Sequence, residues 1–164
     1  MNKQRVIAVD HGNRNMKTTN YVFPSGHIES GHLPSLGVDV LVYNGKEYTI
    51  VDQRKPQKDD KTKDDDYFVS TLFAIGKELT GEAGMSSVND FEPDTGADEN
   101  AAMQGKSLCP QDGCTDIVLL VGLPPLHCKK LGKRFADYFK NREHPINFIL
   151  NSAKMSIKIS DLCN

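Results

Sequence analysis

Four residues near the amino terminus, Asp10, Gly12, Asn13 and Lys17, have the types and spacing to hold a phosphate and a metal ion. They lie in the stretch RVIAVDHGNRNMKT, where a short apolar run from Arg5 to Val9 leads into an acidic residue and then a polar turn. A carboxylate at the end of a buried strand repels a polyphosphate, so it works through a hydrated divalent cation, which keeps several of its waters. Asp10 is the candidate holder of that metal. Gly12 lets the main chain turn sharply and approach a phosphate, and the N–H groups that follow, from Asn13 onward, can form an anion-binding concavity. Lys17 supplies a point charge to the phosphate oxygens. The same residues also fit a plain β-hairpin in which HGNRN is a polar loop between ordinary charges. Spacing alone leaves both readings open.

For Asp10 and Lys17 to face one ligand, the chain must fold back between them. Met16 to Phe23 alternates weakly and stops at the turn signal Pro24-Ser25-Gly26. It is expected as a second strand pairing onto the first, with His27 to Leu33 as a third. Val40 to Tyr43 and Lys46 to Val51 flank Asn44-Gly45, a pair suited to the positive φ at both central positions of a type I′ hairpin turn. Asp52 to Asp66, DQRKPQKDDKTKDDD, is expected as a solvated loop, with a binding surface as the alternative, and its last aspartates favour a helix start. From Tyr67 to Leu79, the residues Phe68, Leu72, Ile75 and Leu79 recur at helical spacing, joined by Val69 and Phe73. Thr80-Gly81 predicts the end of that helix.

Residues 82–115 change character: Gly, Ser, Asn, Asp, Glu and Gln dominate, which reads as an insertion that is either mobile or an added interaction element. Asp116 to Val121 is a continuous apolar run, expected as a strand covered on both faces and parallel to its neighbours. Gly122-Leu123-Pro124-Pro125 turns the chain into a helix reaching about Arg142, with Leu131, Phe135, Tyr138 and Phe139 on one face. His127 and Cys128 at its start lack a partner acid or base nearby in sequence, which favours packing or capping over catalysis. Ile146 to Leu150 and Met155 to Ile159 form a closing hairpin around Asn151-Ser152.

A chain of 164 residues with 38% hydrophobic content accommodates one ordinary domain and is too short for two. A net charge of −2 offers no basic excess for direct contact with nucleic acid and no bias toward a membrane surface. No run approaches the roughly 18 apolar residues of a membrane helix, and no signal-peptide core follows the first residues, so a cytoplasmic protein is expected. Cys109, Cys114, Cys128 and Cys163 do not make a zinc pattern and are expected as reduced thiols.

Three blocks, VIAVDHGNRNMKT, DYFVSTLFAIGKEL and IVLLVGLPP, occur in the order in which they appear in the first half of bacterial actin-like ATPases of the plasmid-segregation (ParM/StbA) type, which the chain resembles. The turn with its lysine is shared across the wider actin, sugar-kinase and heat-shock ATPase superfamily, whereas its combination with GLPP and the intervening helix is narrower. The resemblance implies an α/β, ribonuclease H-like domain I with a mixed sheet and flanking helices. It places Asp10, Gly12, Asn13 and Lys17 at the Mg2+ and phosphates of ATP or GTP. It also implies self-association into filaments, a DNA-bound adaptor protein as partner, and a second domain beyond Asn164 that completes hydrolysis. The segment 82–115 departs from that family, where a shorter link is expected. Two alternatives share the turn: a truncated, non-catalytic domain that binds or caps filaments, and half of a kinase-type enzyme of the same superfamily.

Overall fold

The computed structural model describes residues 4–30, 37–54, 56, 60–85, 114–122 and 125–163, without the side chains of 82–85 and 125–131. Its elements in chain order are β1 (Arg5–His11), β2 (Asn15–Lys17), β3 (Val22–Pro24), β4 (His27–Glu29), β5 (Val40–Tyr43), β6 (Lys46–Ile50), α1 (Asp66–Met85), β7 (Thr115–Val121), α2 (Pro125–Lys140), β8 (Ile146–Leu150) and β9 (Ala153–Cys163). The strands form one mixed sheet in the order β3-β2-β1-β7-β9-β8-β5-β6-β4. In its centre β1, β7 and β9 run parallel. The strand pairs outside that centre are antiparallel.

Alternation along the strands decides which face carries the core. Ile7 and Val9 of β1, Ile117, Leu119 and Val121 of β7, and Ile157 and Ile159 of β9 all point one way and are buried. They join Phe68, Leu72 and Ile75 of α1 and Phe135 and Phe139 of α2 in a single cluster. Both helices therefore cover the same face. On the opposite face Val6 is 66% exposed, and Val118 and Leu120 are half-buried. The run Asp116 to Val121 is parallel to its neighbours as expected, but among the described residues only its inward side is closed over.

Several expectations need correction. The single strand expected from Met16 to Phe23 is two, because Thr18 closes a turn: its N–H donates to the Tyr21 carbonyl (2.8 Å) and its hydroxyl accepts from the Tyr21 N–H (3.1 Å). The third strand keeps only His27–Glu29, with residues 31–36 outside the description. It is not the next strand of a meander but pairs with β6 at the far edge of the sheet. The first helix does not stop at Thr80-Gly81 but continues to Met85. Gly81 serves packing there, since a Cβ at this position would lie 1.8 Å from the Tyr21 hydroxyl oxygen. Of the segment 82–115, residues 82–85 belong to α1 and Cys114 leads into β7, while 86–113, with Cys109, lie outside the described residues.

Other expectations hold. The β5–β6 hairpin turns at Asn44 (φ 50°) and Gly45 (φ 72°). The closing hairpin turns at Asn151 (φ 48°) and Ser152 (φ 73°), and its second strand runs on to Cys163. Asn151 also braces β5, accepting from the Val40 N–H (2.9 Å) and donating to Asp39 (2.7 Å).

Candidate functional site

Because β1, β7 and β9 are parallel, their carboxyl ends emerge on one side of the sheet, the side on which open α/β sheets bind ligands. A cavity of about 560 Å³ lies there. Asp10 near the end of β1, Gly122 just past β7 and Cys163 at the end of β9 line it, together with Lys17, Thr18 and Thr19. Ala8 and Leu120 of the uncovered face contribute apolar lining.

The first strand extends past Val9 to His11, so Asp10 sits within β1 and pairs directly with Lys17 of β2. Cross-strand partners hold their Cβ atoms about 4.5–5.5 Å apart, which brings the carboxylate and the ammonium to one place on the open face. Gly12 and Asn13 occupy the turn between these strands and are not among the cavity-lining residues. Gly12 is required sterically: a Cβ there would lie 2.4 Å from the Asn15 carbonyl oxygen, inside the turn itself. The Asn13 carbonyl accepts from the Ser25 hydroxyl (2.8 Å), and the Arg14 carbonyl accepts from the Ser25 N–H (2.9 Å), so the turn is tied to the segment after β3.

The opposite side of the turn is fixed from the core. His11 faces inward, buried among the rings of Tyr67, Phe135 and Phe139 at 5.6, 6.3 and 6.4 Å. Its Nε2 lies 2.7 Å from the Thr71 hydroxyl, which itself donates to the Tyr67 carbonyl (2.7 Å). That leaves the hydroxyl oxygen to accept, so His11 donates from Nε2. The His11 carbonyl accepts from Lys61 Nζ at 3.4 Å. Burial pushes the Lys61 ammonium below its ordinary pKa, and the negative charge of Asp10 opposes that shift.

Lys61 corrects the expectation of a wholly solvated Asp52 to Asp66 loop. Residues 52–54, 56 and 63–65 are exposed, but 60–62 are half-buried, and Lys61 among them reaches the turn. Nothing in the composition of the run distinguishes Lys61 from its neighbouring lysines; only the fold does. Thr18, Thr19, Gly122 and Cys163 were also missed as a group. The order of strands that brings three separate carboxyl ends together is set by pairing between distant segments, which no local pattern encodes. The side chains of His127 and Cys128 lie outside the description.

Chemically, the arrangement offers one carboxylate, one cross-strand ammonium and a sterically constrained turn. Among the described residues no three His, Cys, Asp or Glu side chains come together as a metal site. That donor set suits a hydrated magnesium ion, which binds through one or two carboxylates and takes phosphate oxygens and water for the rest. Backbone N–H groups of a tight turn can form a concavity for a phosphate. No helix of the described residues is long and apolar enough to cross a membrane.

No protein-family model matches the sequence, and no curated protein does. Solved structures match nearly the whole chain. Apo ParM of pSK41 superposes with a TM-score of 0.62 at 12% identity, over 97% of this chain and 48% of that one. An AlfA filament bound to AMPPNP gives 0.59 at 14% identity, over 98% of this chain and 53% of its own. A 15-stranded ParM filament from Clostridium botulinum gives 0.59 at 21% identity, over 96% and 46%. The chain thus spans about half the length of these neighbours. At such low identity the likeness is one of architecture, and it establishes that this chain has the actin-like, ribonuclease H-like α/β fold.

Proposed function

We propose that this chain is the phosphate-binding half of a filament-forming, actin-like ATPase acting in plasmid or other DNA segregation. In this reading Asp10 holds a magnesium ion through water, Lys17 meets the phosphate oxygens, and Gly12 and Asn13 present the backbone of the turn to ATP or GTP. Bound magnesium would neutralise the phosphates and the charge that develops on them during phosphoryl transfer. Such chemistry needs groups on both sides of the nucleotide to position water and metal, and these residues form one wall of the cleft. With a net charge of −2 the chain itself is poorly suited to holding DNA, so an adaptor protein bound to DNA would link filament and cargo.

The observation that carries the reading is the pairing of Asp10 with Lys17 beside the carboxyl ends of three parallel strands, in a fold shared with nucleotide-bound and filamentous proteins. The test is a titration of the purified protein with magnesium-ATP and magnesium-GTP, followed by sedimentation to detect filaments. Asp10→Ala and Lys17→Ala are expected to lose nucleotide affinity and filament formation while melting at nearly the parent temperature. Parent-like affinity in both variants overturns the reading.

A further inference from the structure

Lys61 is held between two anchors that bring its ammonium to the start of the Gly12 turn. On one side of it, Asp60 Oδ1 accepts from both the N–H (2.9 Å) and the hydroxyl (2.6 Å) of Thr62. Asp60 Oδ2 meets Arg134 of α2 at 3.0 Å. From this fixed backbone the Lys61 stem crosses the ring of Tyr67, with Nζ 4.9 Å from its centroid, and ends 3.4 Å from the His11 carbonyl. Ordering a long lysine side chain costs rotamer entropy. An ammonium has three donors, and among the described residues its hydrogen bond is the long one to the His11 carbonyl. The charge is also partly removed from water, a condition that favours an anion nearby.

Asp10 supplies part of that negative field. Arg14 and Lys17 are exposed on the same hairpin, and Asp60, the carboxylate next to Lys61 in sequence, is already engaged by Thr62 and Arg134. We propose that Lys61 is a second phosphate-binding cation of this site, delivered by the loop before α1 to the side of the turn opposite Lys17. The inference rests on the phosphate reading of the turn and adds to it a separate ligand from the charged segment before α1.

Calorimetric titration with magnesium-ATP and with inorganic tripolyphosphate, at two salt concentrations, separates the outcomes for Lys61→Met, Lys61→Arg and Lys17→Ala. Lys61→Met keeps a stem over Tyr67 and is expected to weaken both ligands roughly 10- to 100-fold, the range for a lost hydrogen bond to a charged group. Its affinity should also fall less steeply with salt, whereas Lys61→Arg should stay close to the parent. Loss in Lys17→Ala with no loss in Lys61→Met overturns the role of Lys61 and leaves the turn reading standing; parent-like binding in both overturns the two together. Equal weakening in Lys61→Met and Lys61→Arg also overturns it, because charge would then not be the cause. In the unaltered protein, acylation of Lys61 followed by mass spectrometry should be slowed by magnesium-ATP, and an unchanged rate counts against the proposal whether or not the variants fold.

Discussion

The carboxylate of Glu78 accepts two hydrogen bonds from Asn20, one from its backbone N–H (2.9 Å) and one from its side-chain amide (2.7 Å). Glu78 belongs to α1 and is buried, and Asn20 lies in the turn that follows Lys17, Thr18 and Thr19. The helix thereby grips the tip of the β2–β3 hairpin whose other residues line the cavity. Burial raises the Glu78 pKa, but hydrogen bonds from Thr18 and Asn20 outweigh it and hold the carboxyl below its ordinary value.

A carboxyl whose folded pKa is depressed stabilises the fold above its unfolded pKa, and that contribution disappears as pH falls through the folded value. Replacing Glu78 by Gln is expected to cost about 1–3 kcal/mol at pH 7, the range for hydrogen bonds to a charged group. Melting curves of parent and Glu78→Gln should converge in acid below about pH 4, where an ordinary glutamate titrates. A gap of constant size down to pH 3 would rule out the charge as its origin.

Gly12→Ala tests the steric demand of the turn. With a Cβ 2.4 Å from a backbone oxygen, the strain cannot be relieved by a side-chain rotation. Opening the turn is expected to cost about 1–3 kcal/mol, as overpacking does elsewhere. Chemical denaturation of the variant, read with its nucleotide affinity, checks this. An unaltered midpoint would show that the turn is looser than its geometry implies.

Core and site should respond in opposite ways. Leu72 and Leu119 are both fully buried, and truncating either to alanine should cost about 2–5 kcal/mol. Asp10 and Lys17 are exposed on the open face, where such a pair is worth about 1 kcal/mol or less to folding. Thermal melts of Leu119→Ala, Asp10→Ala and Lys17→Ala side by side would expose a structural role for the charges if all three fell together.

Ser152 adopts φ 73° in the β8–β9 turn and is exposed. Left-handed backbone costs a non-glycine residue roughly 1–2 kcal/mol, whereas glycine enters it freely at a smaller cost in unfolded-state entropy. Ser152→Gly is therefore expected to stabilise the protein by roughly 0.5 kcal/mol, the difference between those effects. A lower melting temperature for the variant would mean that the serine side chain contributes more than its strain removes.

What could be read in the sequence was what local pattern determines. Asn44-Gly45 announced its hairpin because one turn type demands that pair, and Phe68, Leu72 and Ile75 announced α1 because a buried stripe repeats at the helical period. Asp10 and Lys17 were legible as a pair because the turn between them is short. Gly81 misled, since a glycine near a helix end usually marks the stop, and here it makes room for Tyr21, a residue 60 positions earlier. Gly122 and Cys163 were illegible as neighbours of Asp10 because only the assembled sheet, with β7 beside β1 and β9 next after it, brings them near, and Lys61 because only the packing of its loop against the turn does so.

The pairing of β7 with β9 skips one residue: Ile117 lies opposite Ile159 and Val118 opposite Asp161, leaving Ser160 as an added step whose hydroxyl donates to the Ile117 carbonyl (3.2 Å). Successive strand residues alternate in direction, so a single added step exchanges inside for outside in everything that follows. Leu162 is thereby turned into the core and Cys163 out to the cavity. Were the strand to alternate without interruption through Ser160, the two would be interchanged, setting a thiol among apolar side chains and a leucine beside Asp10. The character of that wall is decided by where the pairing skips a residue, as much as by which residues follow.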